Sequence, residues 1–298
     1  MKIGIAMIYD RVDDSAPDPG VFARECEELG LESVWVGDHM LFPAEPTSRF
    51  PIGPTGRIPE HYAHFPEPFV VLAMAAATTK KLRIGTSVLL VPEHNPIATA
   101  KRIATLDRLS HGRFLFGVGA GWLREAAEVL GSDFPHRWTQ TAEYIAAMRE
   151  LWSKDVASFD GKYVKYSKLK CYPKPLQQPG PPVLIGSLDK HALKWVARWG
   201  DGYIPVCFSV PAALDFAREK IAGLKQECAA IGRDFSKLDI SLMVHLSDDN
   251  TDSLHARELI PQLEEAGVQR LVDVSGVAPT FRGDYRAKLE RLAPVIGQ

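Results

Sequence analysis

A chain of 298 residues, 46% hydrophobic and 24% charged, is long enough for one large α/β domain and too ordinary in composition for a disordered or fibrous protein. Its formal charge of −2, with acids and bases interspersed, excludes the electrostatic footprint of a nucleic-acid or anionic-lipid binder, so a small molecule is the expected partner. The cysteines Cys26, Cys171, Cys207 and Cys228 show no C-x-x-C spacing, and the longest apolar run, residues 69–77, is far short of the roughly 20 residues of a membrane span. Met1 leads straight into the strand-like Lys2-Ile3-Gly4-Ile5 without the profile of a secretory leader, so a reduced, cytoplasmic setting is expected.

Short Val- and Ile-rich runs alternate with segments of helical period along the whole chain, the pattern of βα units. Residues 3–8 read as the first strand and 21–29 as its helix, ended by Gly30; residues 33–36 are the second strand. A long Pro/Gly-rich loop over 42–68, of a length that usually serves function, leads to an apolar helix over 69–79. Residues 82–89 form the third strand, 96–109 its helix, and 113–118 the fourth strand after the turn Ser110-His111-Gly112. Helices come next over 123–130 and 136–152, then a polar and aromatic insertion over 159–182. Strands five to eight are expected at 183–185, 202–205, 238–245 and 270–274, with helices at 190–198, 211–231, 253–266 and 284–292. Eight such units make a single (β/α)8 TIM barrel over residues 1–298, with a doubly wound open sheet as the alternative.

Active sites of such barrels lie at the carboxyl ends of the strands, which singles out four places. Gly37-Asp38-His39 comes after the second strand and offers a proton donor or acceptor near neutral pH, although a His satisfied by backbone is an equal reading. Gly85-Thr86-Ser87-Val88-Leu89 ends the third strand with small polar residues where an ordinary strand end is the alternative. Gly117-Val118-Gly119-Ala120-Gly121-Trp122 after the fourth strand lacks side chains over which something flat can approach the backbone; it is a poor dinucleotide fingerprint, because no acid stands about 20 residues on. Ile185-Gly186-Ser187-Leu188-Asp189 runs from the fifth strand into a helix, a turn that suits phosphate unless Ser187 or Asp189 merely caps the helix.

His94, in Pro92-Glu93-His94-Asn95-Pro96 just past the third strand, is a candidate pocket residue, whereas His111 falls at the opposite rim. His61 and His64 lack a third ligand at sensible spacing, so no metal is expected. No G-x-S-x-G elbow or P-loop supports a hydrolase or NTPase.

Taken together these places resemble the bacterial luciferase-like superfamily, specifically its branch using the deazaflavin coenzyme F420. The likeness is most specific in Leu82-Arg83-Ile84-Gly85-Thr86-Ser87-Val88-Leu89, Asn95-Pro96, Leu106-Asp107-Arg108-Leu109-Ser110-His111-Gly112-Arg113 and Gly117-Val118-Gly119, and extends through Pro181-Pro182-Val183-Leu184-Ile185-Gly186 and Gly200-Asp201-Gly202-Tyr203. The resemblance implies a non-prolyl cis peptide at Ser87-Val88 behind the cofactor ring and a cofactor wall of Thr86, Ser87, Val88, Gly119, Ala120 and Gly121. It also implies a phosphate held by the turn amides of Gly186, Ser187 and Leu188, and Asp38 and His39 facing the reactive ring.

The expected reaction is hydride transfer between coenzyme F420 and a small organic substrate, with His39 managing the proton, Asp38 orienting polar edges, and Trp122, His94 and the 42–68 loop shaping the substrate pocket. The family's sugar-phosphate dehydrogenases carry a glutamate at the place of Trp122 and a lysine near Ser209, so the resemblance argues against a sugar phosphate. An FMN-dependent luciferase-like monooxygenase and a non-catalytic cofactor-binding barrel stay open as alternatives, and a homodimer through helices near the second and third strands is implied.

Overall fold

The alternation of apolar runs and helical segments closes into a barrel in the computed structural model, which describes residues 1–7, 17–51, 56–244, 246 and 253–274. In chain order the strands are β1 (Lys2–Ala6), β2 (Ser33–Val36), β3 (Arg83–Thr86), β4 (Leu89–Leu90), β5 (Phe114–Gly119), β6 (Ala157–Asp160), β7 (Lys165–Leu169), β8 (Val183–Ile185), β9 (Gly202–Tyr203), β10 (Val206–Cys207), β11 (Asp239–Val244) and β12 (Arg270–Asp273). The helices are α1 (Pro19–Glu28), α2 (Pro68–Thr78), α3 (Pro96–Leu109), α4 (Arg124–Val129), α5 (Arg137–Ser153), α6 (Ala192–Trp199), α7 (Ala213–Ala230) and α8 (Ser253–Ala266).

Eight staves form a parallel ring: β1, β2, β3 with β4, β5, β8, β9 with β10, β11 and β12. It closes where β12 returns to β1, with Ile3 beside Leu271 and Ile5 beside Asp273. A TIM barrel with flanking helices is therefore the fold, and the open sheet is excluded. The expected helix at 284–292 lies outside the described residues.

Side chains alternate across this wall, as the period of two requires. Val34, Val36, Phe114, Phe116, Val183 and Ile185 point out to the helices, while Trp35, Leu115, Leu184, Ile204, Met243 and Val272 fill the interior. Both sets are buried, which is why the strands read as nearly continuous apolar runs rather than alternating ones. The indole of Trp35 takes its space from Gly85 on β3: a Cβ there would stand 2.5 Å from the ring. Below Trp35 the barrel floor is polar. Fully buried Arg270 on β12 bonds Asp239 of β11 (2.7 and 2.9 Å), Ser241 (2.8 Å) and Glu32 before β2 (2.9 and 3.0 Å). Burial works to raise the Glu32 carboxyl, but its bonds to Arg270 override this and hold it below the usual range.

Local chemistry sets the helix starts. Asp18 Oδ1 accepts from the Gly20 and Val21 amides ahead of α1, and Asn95 Oδ1 accepts from Ile97 and Ala98 ahead of α3, each with proline at the first helical position. α3 ends in two left-handed residues, His111 (φ 56°) and Gly112 (φ 77°).

Three elements differ from expectation. The strand expected over 82–89 is interrupted at Ser87-Val88, whose peptide is cis, and resumes as β4. The strand expected over 202–205 splits into β9 and β10 because Pro205 has no N–H to give the ladder; its carbonyl still accepts from the Met243 amide (2.8 Å). The 159–182 insertion is entered by an antiparallel hairpin, β6 with β7, pinned to α5 where the Glu143 carboxylate accepts the amides of Lys162, Tyr163 and Val164 (3.0, 2.6 and 2.9 Å). The four cysteines are free, and Cys26, Cys207 and Cys228 are buried.

Candidate functional site

At the carboxyl end of β2 the chain turns through Gly37 and delivers Asp38 inward, only 3% exposed. A carboxylate so buried needs partners. Its Oδ2 accepts the Leu90 amide (2.9 Å) and stands 2.7 Å from His94 Nε2, tying β2 to β4 and the 3-10 helix Val91–Glu93. Asp38 Oδ1 is buried with no hydrogen-bond partner. His94 is itself only 7% exposed, so it is corrected from an open pocket wall to a buried hydrogen-bonding partner of Asp38.

Beside this pair lies Glu93, 5% exposed, with Oε1 buried and unpartnered. Burial, and then the adjacent Asp38 charge, push its carboxyl up to about 8, so it is a neutral acid at pH 7. Its Oε1 packs 2.6 Å from where a Cβ on Gly121 would stand, and Gly121 has φ +81°, so both space and backbone demand glycine there.

The break between β3 and β4 turns Val88 toward the mouth of the barrel. A Cβ on Gly119 would come within 2.5 Å of Val88 Cγ2, and a Cβ on Gly186 would collide with Val88 Cγ1. At Gly117 the obstacle would be the Thr86 carbonyl. What approaches these glycines is thus the chain's own kinked strand; the reading that they leave room for an outside planar group is corrected, and the partly exposed Ser87 and Val88 face such a group instead. Thr86 is fully buried and its hydroxyl donates to the Gly117 carbonyl (2.6 Å), so it stitches β3 to β5 and does not face the mouth. Ala120 is buried just beyond β5.

Past β8 the Gly186 amide donates to the Val118 carbonyl (2.9 Å) and is committed to the sheet, which narrows the expected phosphate turn to Ser187 and Leu188. Among the described residues no acceptor bonds these two amides. The Tyr203 hydroxyl holds the Ser187 carbonyl (3.0 Å), and Asp189 turns back on the His191 amide (2.8 Å), delaying α6 to Ala192.

At the same end of the barrel stands a group of rings. His39 meets Tyr62 (5.2 Å between centroids), Phe65 (5.5 Å) and Trp122 (5.8 Å), all edge to face, and Phe50 closes on Tyr62 (5.1 Å) and Trp122 (5.4 Å). These residues are all partly exposed. Phe50, Tyr62 and Phe65 come from the long loop, which folds back over the β2 and β5 ends. Burial among the rings pushes the His39 imidazole down to about 4, against the upward pull of Asp38 and with a further downward push from His61, so it is neutral at pH 7. The Tyr62 phenol is pushed up to about 12 by burial. The resulting box is apolar and uncharged, with two neutral proton-handling groups.

Asp38, His39, Ser87, Val88, Gly119, Ala120, Gly121, Trp122, Gly186, Ser187 and Leu188 therefore gather at one end of the barrel, as their strand-end positions require. Sequence reading missed Glu93, Phe50, Tyr62 and Phe65. For Glu93 the signal was its place, one residue before His94 and just past a strand end; for the rings it was the length of their loop, which marked 42–68 as pocket-forming without naming the residues. Among the described residues no group of three His, Cys, Asp or Glu side chains is placed to hold a metal, and no helix is long and apolar enough to cross a membrane.

The set fits a flavin-like group: an apolar pad at Val88, a buried carboxylate oxygen without a partner at Asp38, and two open amides at Ser187 and Leu188. Comparison with known proteins points the same way. The family model described as luciferase-like monooxygenase matches residues 15–291. A protein of uncharacterised function from Mycobacterium tuberculosis (strain ATCC 25618 / H37Rv) is 37% identical over 282 residues, covering 94% of each chain. The F420-dependent glucose-6-phosphate dehydrogenase of Amycolatopsis mediterranei is 32% identical over 232 residues, 76% of this chain and 64% of that one. Among solved structures, the oxygenating constituent of 3,6-diketocamphane monooxygenase from Pseudomonas putida, a type II Baeyer-Villiger monooxygenase in complex with FMN, superposes with a TM-score of 0.76 at 15% identity, covering 100% of this chain and 97% of that one.

Proposed function

Since the chain belongs to the luciferase-like monooxygenase family, whose members are oxidoreductases and monooxygenases, we propose that it transfers a hydride between the deazaflavin coenzyme F420 and an uncharged organic substrate. The observation that carries the reading is the apolar, uncharged box around a neutral His39, set at the same barrel mouth as the Val88 pad and the open Ser187 and Leu188 amides. The coenzyme, when bound, supplies the hydride-carrying carbon; the protein supplies geometry and charge. Val88 and Ser87 back the ring, Asp38 accepts from a polar edge through its unpartnered Oδ1, and the Ser187 and Leu188 amides hold a phosphate oxygen at the rim.

His39 handles the proton. Being neutral, it takes the hydroxyl proton of an alcohol as the hydride leaves; in the reverse direction His39 first takes a proton from solvent and passes it to the carbonyl oxygen. Phe50, Phe65 and Trp122 keep water from the reacting atoms and disfavour a charged substrate, whose desolvation nothing in the box offsets. The protein acts in this reading as a homodimer; α2 presents Val70 and Met74 outward, and light scattering tests the mass.

The test is anaerobic turnover. Reduced coenzyme F420 is offered with a panel of aldehydes and ketones, and oxidised coenzyme with the matching alcohols, using wild type and His39→Ala. Turnover in the wild type and its loss in the variant support the reading; equal turnover in both removes His39 from the chemistry.

A further inference from the structure

The long loop is fastened to α4 by a cluster of hydrogen bonds. Glu125, on α4 three residues past Trp122, gathers Thr47 and Ser48: its Oε1 accepts the Thr47 amide (2.5 Å), the Thr47 hydroxyl (2.6 Å) and the Ser48 amide (2.7 Å), and its Oε2 accepts the Ser48 hydroxyl (2.6 Å). Ser48 Oγ in turn accepts the Arg124 amide (3.3 Å), so the loop and the helix are joined from both sides.

Two residues beyond Ser48 stands Phe50, the ring that closes on Tyr62 and Trp122. Trp122 is three residues before Glu125. The latch therefore fixes the distance between two walls of one box: Phe50 through the loop, Trp122 through the root of α4. A carboxylate accepting amide and hydroxyl donors is a strong and directional clamp, because each bond is charge-assisted. The hydroxyl and amide donors also hold the Glu125 carboxyl below the usual range, so the clamp persists into acid.

We propose that Glu125 is a positioning residue: it fastens residues 47–48 to α4, holds Phe50 against Trp122 and Tyr62, and so completes an aromatic box that selects uncharged, ring-bearing substrates. The edge-to-face rings leave part of each face open, which suits a flat apolar ring stacked beside His39 and gives nothing to a phosphate or carboxylate. This inference rests on the placing of the substrate at His39, and its test is made on the coenzyme-free protein so that the two stand or fall separately.

Glu125→Ala and the pair Thr47→Val with Ser48→Ala cut the latch from opposite sides; the second leaves α4 untouched should the first disturb it. Amide hydrogen exchange at residues 47–50 and binding of benzaldehyde, read by ligand-observed NMR, are measured on each. The expected result is exchange faster by about tenfold or more at Thr47 and Ser48 in Glu125→Ala, from the loss of charge-assisted bonds, and benzaldehyde binding weakened about tenfold in both variants. Glucose 6-phosphate, the charged comparison probe, binds no better to the wild type than to either variant. Unchanged exchange in Glu125→Ala, or benzaldehyde affinity equal to wild type in the Thr47→Val/Ser48→Ala variant, overturns the proposal.

Discussion

Glu93→Gln removes an acid that the fold holds neutral, and the consequence is a change in how stability depends on pH. The Glu93 carboxyl titrates at about 8 in the folded chain, against 4.5 for the ordinary group. Between those values the folded protein keeps a proton that the unfolded chain has released, so stability is fully present below about pH 4.5 and declines as pH rises toward 8. At about 1.4 kcal/mol for each tenfold change in proton affinity, the whole decline is about 5 kcal/mol as an upper bound, reduced by whatever water enters once the acid ionises. Glutamine keeps the shape and cannot ionise, so the variant lacks this slope.

His39 acts on the acid side. With its imidazole at about 4 rather than 6.5, it contributes stability above pH 6.5 that is lost as pH falls through 4, in wild type and variant alike. The difference between the two curves therefore isolates Glu93. Urea or guanidinium unfolding every half unit from pH 5 to 9.5 gives both curves. The variant is expected to gain on the wild type steadily across pH 5–8 and then run parallel to it. Curves that stay parallel throughout refute the buried neutral acid, and with it the placing of Glu93 against Asp38.

The same geometry sets further outcomes. In alcohol oxidation kcat/KM should stay flat from pH 8 down to about 5, without the inflection near 6.5 of an ordinary histidine; His39→Ala should lower kcat by about 100- to 10,000-fold. Gly119→Ala places a methyl against Val88 and should cost about 1–3 kcal/mol in chemical denaturation, with most of it recovered in the double variant carrying Val88→Ala. Arg270→Met leaves the half-buried Glu32 and Asp239 without their cation and should cost about 1–3 kcal/mol, while coenzyme affinity at the far end of the barrel is unchanged.

The barrel was legible because its information is local. Each stave is a short apolar run, each connection carries its own start and stop signals at Asp18, Asn95 or Gly112, and strand ends mark where a site must lie. The Ser87-Val88 cis peptide was carried by the resemblance alone; no spacing or propensity points to it. What escaped depends on contacts between distant segments. Asp38 and His94 are 56 residues apart, and only the fold shows that His94 serves the buried carboxylate rather than the pocket. The glycines of the 117–121 run gave the right place, but absence of a side chain reveals a close approach without telling what approaches; here it is the Thr86 carbonyl at Gly117, Val88 at Gly119 and Glu93 at Gly121. Glu93 reads as an ordinary polar loop residue until its burial is known. The loop's length led to the expectation that 42–68 shapes the pocket, but it has no periodicity, so nothing in the order of Phe50, Tyr62 and Phe65 singles them out as the rings that do so. The hairpin of the insertion was obscured because only Ala157, Val164 and Tyr166 of it are buried, among mostly polar residues.

Paired titration of the purified protein with coenzyme F420 and with FMN, with oxygen uptake then measured in the presence of each reduced cofactor, tests the central claim most directly. Saturable binding of coenzyme F420 that weakens when Val88 is replaced by a charged residue, and no cofactor-dependent oxygen consumption, is the predicted result. Tight binding of FMN with oxygen consumed on its reduction, and none of coenzyme F420, would contradict it.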